Sequence, residues 1–83
     1  MHFPQYRKYK NGQSFFRINT AEDMEELKLM GKYFKLYHIK ATILPERVFI
    51  GDMLEAYHEF ADAITETEYT AQLSWCIANL EAL

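Results

Sequence analysis

Three groups of residues in this sequence have the types and the spacing to do chemistry. The first surrounds Asn11-Gly12. Asn-Gly between runs of Tyr, Phe, Lys and Ile is the strongest short signal for a β-hairpin, because both residues tolerate the positive φ of a type I′ turn. A two-residue loop there sets Lys10 opposite Gln13, Lys8 opposite Phe15 and Tyr6 opposite Arg17, all on one face. Cations alternating with aromatic rings are the ingredients of a sheet that stacks bases and neutralises phosphates. The same pattern also arises when Tyr6 and Phe15 pack under a helix while Lys8 and Lys10 guard an edge strand.

The second group is Glu55-Ala56-Tyr57-His58-Glu59-Phe60-Ala61-Asp62. On a helix, Glu55, His58, Glu59 and Asp62 fall on one side, and Glu-x-x-His is the ligand spacing of di-iron helix bundles. Such a site needs a second copy of the motif, and the chain holds one. A solvated face opposite Met53, Tyr57, Phe60 and Ile64 accounts for the same residues, so no metal or other cofactor is expected.

The third is Cys76, the sole cysteine. A reactive thiolate needs an electropositive setting, yet no Lys or Arg follows Arg47. Between Leu73 and Leu80 the residue reads as a small apolar side chain. GxGxxG, P-loop, CxxC and HExxH patterns are all absent, and three glycines are too few for a phosphate cradle. The expectation is a protein without enzymatic activity.

These residues must be positioned by a small number of elements. The hairpin spans Gln5 to Asn19. Thr20 followed by Glu22, Asp23, Glu25 and Glu26 has the form of a helix N-terminus, with Met24 and Leu27 as its apolar stripe and Gly31 as its stop. Lys32 to Ile43 returns to strand character, and Leu44-Pro45-Glu46 interrupts it. Residues 47 to 64 admit two readings. Met53, Tyr57, Phe60 and Ile64 repeat as a helix from about residue 52, or Arg47–Leu54 and His58–Thr65 are two further strands. Thr65 and Glu68 then form a capping box, opening a helix lined by Tyr69, Leu73, Cys76, Ile77 and Leu80 that runs nearly to the end. Trp75 falls off that stripe, at the rim of the core or in a contact. The run Leu44-Pro45-Glu46-Arg47-Val48-Phe49-Ile50-Gly51-Asp52-Met53-Leu54 resembles stretches of small bacterial proteins, a likeness that implies no activity and transfers no site residue.

Charge is distributed unevenly. All nine Lys and Arg lie in residues 1 to 47 against five acids, a net +4, while residues 48 to 83 carry seven acids and no base. A +4 half joined to a −7 half can pair within one molecule or between two. Thirteen aromatic residues in 83 exclude disorder and supply the residue types enriched at interfaces. The length allows one domain, residues 1–83, with a folded surface of about 5,200 Å². A lone cysteine, no signal peptide and no apolar run of membrane-spanning length suggest the cytoplasm.

The expected fold is therefore α+β: an antiparallel sheet of at least three strands from the N-terminal hairpin, with two or three helices packed on one face. The expected order is β-β-α-β followed by α-α or by β-β-α. The expected function is an accessory or interaction domain that works through a protein partner or as a homo-oligomer. The runner-up is a weak single-stranded nucleic-acid binder. Tyr6, Lys8, Lys10, Phe15, Arg17 and Trp75 are the candidate contact residues for either.

Overall fold

A computed structural model describes residues 2–83. Its elements are β1 (Gln5–Tyr9), β2 (Ser14–Thr20), β3 (Asp23–Met30), β4 (Tyr33–Lys40), α1 (Leu44–Glu55), β5 (Ala61–Ile64), α2 (Glu66–Asn79) and β6 (Glu81–Ala82). The six strands form one sheet in the order β5-β1-β2-β3-β4-β6. All neighbours are antiparallel except β6, which runs parallel to β4. The chain is a small α+β domain with an accessible surface of 5303 Å², close to the value set by its mass.

The N-terminal hairpin has the register that its sequence specifies: Lys8 opposite Phe15 and Tyr6 opposite Arg17. Its turn differs from the expected type I′. Only Gly12 takes a positive φ, of 73°, and the Gly12 N–H donates to the Tyr9 carbonyl at 2.8 Å. Asn11 contributes its side chain instead, accepting from the Gln13 N–H at 2.9 Å. An Asx turn thereby does the work of a second left-handed residue.

The segment expected to be a helix from Thr20 to Gly31 is instead a turn followed by the strand Asp23–Met30. Thr20 does accept an N–H, from Glu22 at 3.1 Å, but this closes the β2–β3 turn. The acids that suggested a helix N-terminus find cross-strand partners. Glu25 lies opposite both Arg17 and His38, Glu26 accepts from the Ser14 hydroxyl at 2.8 Å, and Asp23 accepts from Asn19 at 3.0 Å. Gly31 keeps its expected left-handed conformation, φ 63°, as the first residue of the two-residue loop Gly31-Lys32. That is the position a type II′ hairpin reserves for glycine.

The first helix begins eight residues earlier than expected. Pro45 falls in its first turn, where a missing N–H costs nothing, and the Glu46 carboxylate reaches back to the Thr42 and Ile43 N–H groups at 3.1 and 3.3 Å. The helix stops at Glu55, and 61–64 pairs with β1 as a strand. Residues 47–54 are thus helix, while the strand reading of 58–65 holds over 61–64. The second helix follows its sequence closely, with the Thr65 hydroxyl accepting from the Glu68 N–H at 3.1 Å. Ile77, placed on its apolar stripe by spacing, is 66% exposed, and the chain leaves the helix to form β6.

The helices cover opposite faces of the sheet and not one. Phe15 and Phe16 are consecutive in β2, so they point to opposite sides. Phe16, Ile18 and Met24 pack against Ile50 and Met53 of α1. Phe15, Tyr6, Leu27 and Phe34 pack against Tyr69 and Cys76 of α2. Each cluster is a half-core on its own face, and the sheet is the layer between them.

Candidate protein-contact surface

The first hairpin sits in the middle of this three-layer arrangement, and its candidate residues are largely consumed there. Tyr6 and Phe15 are buried beneath α2, with the Tyr6 and Tyr69 rings 5.5 Å apart between centroids. Lys8 reaches Glu68 of α2 at 3.3 Å, and Lys10 lies 4.0 Å from Asp62 of β5. The basic first half and the acidic second half therefore meet inside one molecule at these two points. Arg17 stays exposed, opposite Glu25. Trp75 stands half exposed on the outer surface of α2, apart from the hairpin residues.

On the other face of β1, Arg7 is 5% exposed and has no carboxylate partner among the described residues. Its Nε donates to the Met53 carbonyl at 2.9 Å and its Nη1 to the Tyr6 carbonyl at 2.8 Å. Nη2 donates to Gln5 Oε1 at 2.6 Å, and the guanidinium lies 4.0 Å from the Tyr57 ring centroid. Burial lowers its pKa from the ordinary arginine value. The charge is held by the carbonyl end of α1, where the helix dipole is negative. Arg7 is thus a clasp between β1 and α1, a role no local pattern announced.

Glu55, His58, Glu59 and Asp62 do not share a helix face. Glu55 ends α1, His58 and Glu59 lie in the following turn, and Asp62 is in β5. No group of three or more His, Cys, Asp or Glu side chains is placed to hold a metal among the described residues. Cys76 is fully buried, with the Gln72 amide 3.7 Å from its sulfur.

A depression of about 560 Å³ lies where β2 ends, β3 begins and β4 ends, lined by Thr20, Glu22, Asp23, His38, Lys40 and Thr42. Asp23 holds His38 Nε2 through one carboxylate oxygen and the Asn19 amide through the other. These two hydrogen bonds, Asn19 first and then His38, hold the Asp23 carboxyl below the usual carboxylate range. The hydroxyls at the rim are engaged elsewhere: Thr20 in its turn, and Thr42 donating to Glu46 Oε1 at 2.9 Å. An Asp–His pair without an activated nucleophile beside it is a strap across β3 and β4.

The second hairpin, β3–β4, is the reverse of the first. β6 covers β4 only at Tyr33 and Phe34, so Lys35 to Lys40 have no strand neighbour on their outer side among the described residues. Leu36 is 46% exposed and Tyr37 36%. Lys28 lies directly opposite Lys35. Glu26, the nearest acid on that face, turns to Ser14. Lys28, Lys32, Lys35 and Lys40 make no ion pair among the described residues, while Lys32 and Lys35 lie 5.7 and 5.0 Å from the ring centroids of Tyr33 and Tyr37. Nothing in the local spacing separates this hairpin from the first. The distinguishing signal is its place in the strand order.

Comparison with protein-family models, curated proteins and solved structures gives no match. No helix is long and apolar enough to cross a membrane among the described residues.

Proposed function

We propose that this chain is a non-enzymatic interaction domain that works through protein contacts. The observation that supports this most directly is the outer side of β4. A row of backbone groups with no strand partner among the described residues, flanked by exposed Leu36 and Tyr37, is a template for another polypeptide, and edge strands are ordinarily covered, shortened or bulged to prevent that. The polar depression at Asp23 and His38 offers no comparable apolar contact and no nucleophile. A nucleic-acid platform on the first hairpin would need the Tyr6 and Phe15 rings at the surface, and they lie under α2.

The test is a photoreactive amino acid placed at Leu36 in cells that produce the protein, with the exposed Ser74 of α2 as the control position. Protein adducts of defined mass at Leu36 and none at Ser74 are the expected result. Equal, diffuse labelling at both positions, or none at Leu36, would remove the proposal.

A further inference from the structure

We infer that the occupant of the β4 edge is an extended, acidic segment of another protein, added to the sheet as a further strand. This rests on the protein-contact reading and specifies its partner. The backbone supplies the first half of the case. Met30 and Tyr33 close the two-residue β3–β4 loop, so that pair exchanges both hydrogen bonds, and with it Lys35, Tyr37 and Ile39 direct their N–H and C=O groups toward β3. Phe34, Leu36 and His38 then direct theirs outward. Phe34 accepts from the Leu83 N–H at 2.9 Å, in keeping with this parity. The outward groups of Leu36 and His38 face solvent, and an extended backbone matches donors and acceptors at that repeat.

Charge supplies the second half. Lys28 and Lys35 face each other across the hairpin, an arrangement that destabilises a sheet unless an anion sits beside them. An added strand places one of its side chains next to Lys35 on the same face, where Asp or Glu completes the pair. Lys32 adds positive charge at the loop end of β4, whereas Lys40 at its far end lies opposite Asp23, so the demand for acid centres on Lys28 and Lys35. A second copy of the chain fits less well: the twofold β4–β4 pair that keeps this parity, centred on Tyr37, sets Lys35 against Ile39, and β4 holds no Asp or Glu to offer it. Leu36, on the face of β4 opposite Lys35, gives the alternate, apolar side chains of the added strand something to pack against.

The experiment is an anisotropy titration of the full chain into a labelled eight-residue peptide alternating valine with glutamate. A valine–lysine peptide and an oligothymidylate serve as controls. The expected result is saturable micromolar binding of the glutamate peptide alone, with new amide-exchange protection at Leu36 and His38 and none added at Lys35 and Tyr37. Leu36→Pro removes an outward N–H without touching the β3 ladder and should abolish binding. Should that variant fail to fold, Lys28→Glu with Lys35→Glu, both at exposed positions, should weaken binding at least about tenfold. Absence of glutamate-peptide binding, equal binding of the lysine peptide, preference for oligothymidylate, or a concentration-dependent dimer protected at Leu36 would each overturn the assignment. Site-specific protein adducts at Leu36 alongside such a failure would leave the protein-contact reading standing and remove only the acidic partner.

Discussion

The two hairpins of this domain are built from similar residues and end in opposite circumstances. Each carries lysines, tyrosines and phenylalanines on strands joined by a glycine-containing turn. The β1–β2 hairpin lies in the interior of the strand order, so helices cover both of its faces and its lysines approach acids from α2 and β5. The β3–β4 hairpin lies toward one margin, so Met24, Leu27 and Phe34 are buried while Lys35, Leu36 and Tyr37 meet water. Similar residue types are therefore covered in one hairpin and partly exposed in the other, and composition carries no information about which. Position in the sheet does.

Truncating side chains in the two hairpins sharpens this contrast most. Phe16 is fully buried and meets the Tyr9 and Phe49 rings edge-on, so Phe16→Ala should cost about 3–5 kcal/mol in denaturant unfolding. Tyr37→Ala in the second hairpin should cost less than about 1 kcal/mol. Comparable losses at the two positions would erase the distinction. Next in size is Arg7→Met, which leaves the Met53 and Tyr6 carbonyls buried without their donor and should cost about 2–4 kcal/mol. A loss below about 0.5 kcal/mol would mean the clasp is unimportant.

A smaller effect concerns Tyr69, whose hydroxyl is buried without a hydrogen-bond partner among the described residues and whose pKa burial raises to about 12. The folded protein thus holds this proton more tightly than the unfolded chain does, whose tyrosine titrates near 10. The stabilisation is complete below about pH 10 and is lost as pH rises through about 12. Tyr69→Phe should flatten the alkaline limb of the stability profile and leave neutral stability unchanged or slightly higher. An identical limb in both proteins would assign the effect elsewhere. The smallest effect is Lys35→Glu, which relieves the opposition with Lys28 and should stabilise the isolated domain by a few tenths of a kcal/mol in low salt, fading as salt screens it.

How much of this was legible depends on how far apart the deciding residues lie. The first register and the α2 cap were readable because each is set within a few residues: Asn11-Gly12 by its turn, Thr65 and Glu68 by their spacing. Strand β3 was not, because what holds Glu25 and Asp23 extended comes from Arg17, Asn19 and His38 on neighbouring strands. Pro45 reads as an interruption although it occupies the first turn of α1, and Glu46 one residue later held the clue. The free edge of β4 had no sequence signature. It depends on β6 ending its cover at Phe34, a contact between residues far apart in the chain.

The placement of β5 and β6 has a consequence for chain entropy. Strands β1 to β4 follow one another through loops of at most a few residues, and each pairs with its predecessor. Both outermost strands come instead from the later part of the sequence, and each closes a loop of about fifty residues, Tyr9 to Ala61 on one side and Tyr33 to Glu81 on the other. Closure cost rises with loop length, so the central meander assembles from inexpensive local pairings while its two borders depend on distant ones. α2 joins those borders directly, running from the end of β5 to the start of β6 over the face it covers. One helix therefore ties both long closures into a single event, and whatever frees α2 frees both margins of the sheet together.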